Sequence, residues 1–206
     1  FGQNFLGSLI DRPDYRDCSF TGSQFVASNG SYSQFQRCLF DNCYFFDGDF
    51  RYSFFGECVF GGNEKTRLDR CNYSFSTFRQ TSLSGIAIEG VSFRQMRIED
   101  CRFEDIKISH TSFEHALIRK TSFKNIDFRN AGIRFCRFEQ VKFDNVVFPI
   151  LDLCNNTGAI EAIREAGPAV LVSTGESEVS IEEAIAILPG LLPYYRGARL
   201  YYPLLN

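Results

Sequence analysis

Apolar residues recur along this chain at every fifth position, a spacing that neither regular secondary element explains. The series reads Phe5, Ile10, Tyr15, Phe20, Phe25, Gly30, Phe35, Phe40, Phe45, Phe50, Phe55 and Phe60, and eleven of these twelve positions are apolar or aromatic. The phase slips by three residues across "GGNEKTR" (61–67). It resumes at Leu68 and runs through Tyr73, Phe78, Leu83, Ile88, Phe93 and Ile98 to Leu153 without a polar exception. A straight strand alternates its facing every two residues, so positions five apart point to opposite sides. An α-helix turns about 100° per residue, which sets positions five apart roughly 140° from one another. A chain that gathers these side chains on one side must therefore turn between units.

A second column of small residues precedes each central residue by two. It includes Cys18, Ser23, Ser28, Ser33, Cys38, Cys43, Gly48, Ser53 and Cys58 in the first block. In the second it includes Cys71, Ser76, Thr81, Cys101, Thr111, Ala116, Thr121, Ala131 and Cys136. Residues two apart share one side of an extended chain. Each five-residue unit thus turns one large and one small side chain inward, then bends. If each bend is about a right angle, four units close a square coil of 20 residues, and stacked coils lie about 4.8 Å apart. The charges support four units per coil. Residues 20 apart then form the ladders Arg94–Glu114–Arg134, Glu99–Arg119–Glu139 and Glu104–Lys124–Asp144, all alternating in sign. A triangular coil would stack Glu99 on Glu114 and Arg119 on Arg134, and like charges opposite one another destabilise.

Units such as "CSFTG", "TSLSG", "TSFEH" and "TSFKN" resemble the pentapeptide repeat family. The resemblance covers residues 15 to 153. It implies an all-β solenoid, a right-handed quadrilateral β-helix, with a short α-helical C-terminal cap and tail. The expected organisation is an N-terminal cap at 1–14, the β-helix at 15–153 with a loop or bulge at 61–67, and a helical cap with an apolar tail at 154–206. Gly30 interrupts the central column, while Ile86, Val91, Met96, Ile106 and Ile126 crowd the small column and should bow the coil.

Composition narrows the function classes. Of 206 residues 44% are hydrophobic and 16% aromatic, with 23 Phe and no Trp, and 18 of those Phe fall in the five-residue register. No apolar run reaches 18 residues, so no membrane-spanning helix is expected. The net charge of −3 is too small to imply a nucleic-acid partner. Seven of the eight Cys occupy the small inward column. They read as buried free thiols filling space, which implies a reducing compartment and a cytoplasmic protein. No C-x-x-C pair suggests zinc. His110 and His115 fall on outward positions, and no sequence motif sets a base beside a nucleophile. No cofactor, metal or enzymatic activity is expected.

Candidate contacts lie elsewhere. Tyr32, Tyr44, Phe46, Tyr52 and Phe54 point outward, with Tyr32 and Tyr52 one coil apart and Phe54 expected across the same corner. The insertion offers Asn63, Glu64 and Lys65. After Leu153 the period vanishes. "NNTGAIEAIREAG" opens with capping residues and fits a short helix over the last coil, and "AVLVS" could be a strand. "SIEEAIAIL" opens with a capping box, Ser180 to Glu183, and should end near Pro189–Gly190. The tail "LLPYYRGARLYYPLLN", with Leu191, Leu192, Tyr194, Tyr195, Tyr201 and Tyr202, is expected to make a homodimer, as C-terminal segments often do in the resembling family.

The leading expectation is a non-enzymatic protein-interaction scaffold that binds another protein through its rod surface. One alternative is a DNA mimic that binds DNA gyrase or a related topoisomerase; the net positive charge of residues 61–153 speaks against it. Another is a targeting or regulatory module of a larger protein, which the absent initiator Met would fit.

Overall fold

A computed structural model describes residues 3–5, 7, 12–62, 65–153 and 155–191. Most units form a three-residue strand whose middle residue is buried, followed by a corner. The residue two after most centres adopts a left-handed conformation, for example Tyr32 at φ 62°, Asp47 at 50° and Asn125 at 54°. Such backbone is unfavourable for a side-chain-bearing residue by about 1–2 kcal/mol. The corner compensates through its amide, which donates to the next coil: Tyr32 N to Arg51 O at 2.9 Å, Arg37 N to Gly56 O at 2.8 Å.

Four faces result. The first stacks seven parallel strands, Asp14–Arg16, Gln34–Gln36, Phe54–Gly56, Thr77–Arg79, Arg97–Glu99, Leu117–Arg119 and Arg137–Glu139. The second holds eight, from Leu39–Asp41 to the C-terminal pair Val170–Ser173 and Glu178–Val179. The third holds five, from Gln24–Val26 to Lys107–Ser109. The fourth is bridged by Asn29, Asp49, Asn72, Ser92 and Ser112, and by the pair Thr111–Ser112 with Ala131–Gly132. Registers step by 20 residues, as in Phe35 opposite Phe55, and by 23 across the insertion, as in Phe45 opposite Leu68. The square coil and its three-residue insertion are thus as expected. The insertion ends where Thr66 re-enters the small column, fully buried, with its hydroxyl donating to Gly61 O and accepting from Cys43 N.

Inside, most rings stack parallel within a face and edge-on between faces, with Phe78 beyond the insertion reversed, edge-on to Phe55 of its own face and stacked on Phe60 of the next. Phe25 and Phe45 lie 4.5 Å apart at 4°, whereas Phe25 and Phe40 lie 6.2 Å apart at 66°. Ile86, Met96 and Ile106 of the crowded small column are buried beside Ile88, Ile98 and Ile108. A smaller central residue there offsets the larger one two places earlier.

The small column does more than fill space. Its hydroxyls and thiols stitch consecutive coils at backbone groups near the corners. Ser76 Oγ donates to Phe50 O at 2.7 Å and accepts from Ser53 N at 3.0 Å. Thr81 does the same between Phe55 O and Cys58 N, and Cys136 Sγ donates to Phe113 O at 2.8 Å. Hydroxyl and thiol residues suit these sites because a buried amide or carbonyl without a partner costs about 1–3 kcal/mol.

Among the described residues, three α-helices and a one-turn 3-10 helix, Gly167–Ala169, close the C-terminal end: α1, Ile150–Leu153; α2, Ala159–Ala166; and α3, Ile181–Leu191. The "NNTG" residues act differently from the expected helix cap. The residue before α2 is Gly158, which makes no side-chain cap. Asn156 instead takes the next position of the small column, accepting from Cys136 N at 2.7 Å and donating to Ile133 O at 2.7 Å. Asp152 accepts from Ile133 N at 2.9 Å. The last coil therefore ends on side-chain amide and carboxylate groups. "AVLVS" does form a strand, Val170–Ser173, parallel to Val146–Pro149. The Ser180–Glu183 capping box is present, with Ser180 N donating to Glu183 Oε2 at 2.9 Å. Helix α3 runs to Leu191, one residue past the expected Pro189–Gly190; Pro189 has no amide to donate within the helix.

Candidate interaction surface

Corner residues at one edge of the rod form a line of stacked rings. Tyr32 and Tyr52 lie 5.0 Å apart at 8°, and Tyr52 and Phe75 lie 4.9 Å apart at 9°. The Arg12 guanidinium covers Tyr32 at 5.5 Å, a cation–π contact. Farther along, His115 and Phe135 stack at 5.0 Å and 14°, with Gln95 between the two groups in the column. Tyr32, Tyr52, Phe75 and Phe135 keep 53%, 46%, 44% and 41% of their surface exposed. All sit at the corner between the fourth and first faces, at left-handed φ from 57° to 64°. The other three corners carry charged, amide, Gly and Ala residues, with His110 their one ring among those described.

The outward aromatic residues named from the sequence thus separate into groups. Tyr32 and Tyr52 join the corner line. Tyr44 and Phe46 form a second pair on the third face, 5.7 Å apart. Arg70 lies 4.2 Å above the Phe46 ring and also pairs with Asp47 at 2.5 Å. Phe54 is on the first face rather than in the line. A Cβ at Gly56 would stand 2.5 Å from Phe54 Cε1, so its ring lies along the Gly56 backbone. Lys65 is exposed at the end of the insertion. Asn63, Glu64, Leu192, Tyr194, Tyr195, Tyr201 and Tyr202 lie outside the described residues, as does the side chain of Leu191. Phe75 and Phe135 are not among the residues named above from the sequence, and His115 is named there only as outward-facing. Their signal is the column two after the central residue, read every fourth unit: Tyr32, Tyr52, Phe75, Gln95, His115, Phe135.

The residues of the charged ladders stack one coil apart as the square coil requires, and four of the six steps are ion pairs. Arg94 meets Glu114 at 3.0 Å and Lys124 meets Glu104 at 3.1 Å, and Arg119 lies 3.6 Å from Glu99 and 3.7 Å from Glu139. Arg134 meets Asp152 at 3.0 Å. The described cysteines are free. Burial pushes the Cys43 and Cys101 thiols up to about 11 and those of Cys71 and Cys136 up to about 12. In the Cys18–Cys38–Cys58 ladder, the close approach of the Cys38 and Cys58 thiols draws Cys38 down and pushes Cys58 up. Among the described residues no group of three or more His, Cys, Asp and Glu side chains is arranged to hold a metal ion. No described helix is long and apolar enough to cross a membrane.

The family model for the pentapeptide repeat region matches residues 76–148. No curated protein matches the chain. Solved structures similar to it include full-length QnrB1, a plasmid-mediated fluoroquinolone resistance protein. That alignment has 14% identity over 91% of this chain and 97% of QnrB1, with a TM-score of 0.32. Another is HetL, a pentapeptide repeat protein involved in heterocyst differentiation regulation in the cyanobacterium Nostoc. It aligns at 10% identity over 75% of this chain and 85% of its own, with a TM-score of 0.32.

Proposed function

We propose, from the premise that this chain carries a pentapeptide repeat region, that it is a non-enzymatic scaffold whose protein partner binds along the Tyr32–Tyr52–Phe75 corner. The observation behind this reading is the concentration of exposed rings in one line on a rod whose other corners are otherwise polar or small. A contiguous exposed aromatic patch favours association. Rings already stacked on one another lose little further freedom when a partner covers them, which favours binding. DNA mimicry draws less support, because the ladders alternate in sign where a mimic needs continuous negative faces.

The test is capture from extracts of the native host by the whole chain and by a Tyr52→Ser/Phe75→Ser variant, with quantitative mass spectrometry. Both side chains are exposed, so circular dichroism should be unchanged. A protein retained by the parent and lost by the variant supports the corner. Equal capture by both sets it aside.

A further inference from the structure

Arg12, Arg79 and Arg97 are the described arginines without an ion pair; every other described arginine meets a carboxylate. These three lie on one side of the rod, Arg12 three coils from Arg79 and four from Arg97. Arg12 heads the ring line over Tyr32. Arg79 and Arg97 are exposed on the first face, which opens directly from Tyr52 and Phe75. Arg97 stacks on Thr77, two residues past Phe75, and Thr77 stacks on Phe54. Of the carboxylates around Arg79 and Arg97, Glu99 meets Arg119 and Glu57 accepts from the Gln36 amide, while the exposed Asp100, one corner past Arg79 and one coil on, forms no ion pair with either arginine. Two uncompensated guanidinium groups thus border the Tyr52–Phe75 line and the separate Phe54 ring on the first face.

We infer that this surface receives an acidic, extended peptide segment of the partner, with an apolar side chain against Phe54 and Phe75 and carboxylates on Arg79 and Arg97. The inference rests on the corner reading above and adds the partner's chemistry. Arg79 and Arg97 occupy neighbouring strands, offset by two residues, so their backbones lie about 8 Å apart. Carboxylates two residues apart on an extended peptide, about 6.5 Å, suit two such forks, and guanidinium groups bind carboxylates bidentately. The same line offers few open ring faces to single-stranded nucleic acid, which stacks its bases on them: on Phe75 only the side toward Gln95 carries no ring. Tyr52 is covered on both faces by Tyr32 and Phe75, and Arg12 covers the outer face of Tyr32.

The experiment is selection of displayed random dodecapeptides on the whole chain, followed by fluorescence anisotropy of the enriched peptides. An oligothymidylate 20-mer serves as the nucleic-acid probe. Enriched peptides should carry Asp or Glu at i and i+2 beside an aromatic or aliphatic residue. Arg79→Gln/Arg97→Gln should weaken them at least tenfold, and Arg16→Gln, whose parent side chain is paired with Asp14, should not. Both variants are at exposed positions and should melt with the parent. Enriched peptides without acidic residues that still need Phe75 would overturn the acidic partner while leaving the corner intact. Peptides indifferent to both the arginine pair and Phe75→Ser would overturn both readings. Tighter binding of the oligothymidylate than of any peptide would overturn the inference in favour of nucleic acid.

Discussion

Gly30 leaves vacant the space that the Phe50 ring fills one coil away. A Cβ on Gly30 would stand 2.7 Å from Phe50 Cε1, and one on Gly48 would stand 2.6 Å from Cε2. The break in the central column at Gly30 is therefore a packing requirement: the ring spans its own small-column site and the neighbouring central one. Gly30→Ala and Gly48→Ala should each destabilise the fold by about 1–3 kcal/mol, the usual cost of overpacking a buried site. Gly132→Ala, which meets nothing within 4 Å, should shift the urea midpoint little. Equal midpoints for all three variants would contradict the ring's placement.

The Tyr73 hydroxyl is buried without a hydrogen-bond partner among the described residues. Its ring continues the fourth-face stack, 5.2 Å from Phe50 and 5.6 Å from Phe93. Phe would keep that stacking and remove an unsatisfied polar atom. Tyr73→Phe should therefore stabilise the protein by about 1–2 kcal/mol, seen as a higher denaturation midpoint. A lower midpoint would mean that the hydroxyl has a partner.

Stitching between coils makes a separate prediction. Ser76→Ala should strand Phe50 O and Ser53 N, and Asn156→Ala should strand Ile133 O and Cys136 N. Each should cost about 2–4 kcal/mol, since two buried backbone groups lose partners. Amide hydrogen exchange at Ser53 and Cys136 should accelerate in the respective variants, a local readout that simple loss of side-chain volume would not give.

Alkaline pH should weaken the fold. An ordinary thiol titrates near 9.0, whereas Cys43 and Cys101 are raised to about 11 and Cys71 and Cys136 to about 12. The unfolded chain then releases protons that the folded chain keeps. Stability is fully present below pH 9 and falls as pH rises toward 11–12, by at most about 1.4 kcal/mol per pH unit for each thiol. Urea midpoints at pH 8, 9 and 10 under reducing conditions should show the decline, and Cys136→Ala should flatten it by one proton. A flat profile would count against the buried thiols.

Much of the fold was legible because a solenoid converts sequence period directly into spatial column. Phe35 lies opposite Phe55 because both hold the same place in successive coils, and the three-residue insertion shows as a phase slip before it shows as a register of 23. The candidate surface was only half legible. Tyr32 and Tyr52 follow from their spacing, but Phe75 lies beyond the insertion, where a fixed step of 20 misses it. Tyr44, Phe46 and Phe54 looked like members of the same group because outward direction alone does not say which of four faces a residue occupies.

The five-residue period by itself determined the inward Phe and Cys columns, and the alternating charges 20 residues apart chose the square coil, because each depends only on position along the repeat. Tertiary structure decided what depends on distances between faces and around corners. It decided that Phe50 needs Gly30 and Gly48, that Asn156 closes the last coil rather than a helix, and that Tyr52 stacks on Phe75 while Phe54 lies on Gly56. It also showed which guanidinium groups lack a carboxylate, since pairing is set by side-chain reach across the surface and not by period.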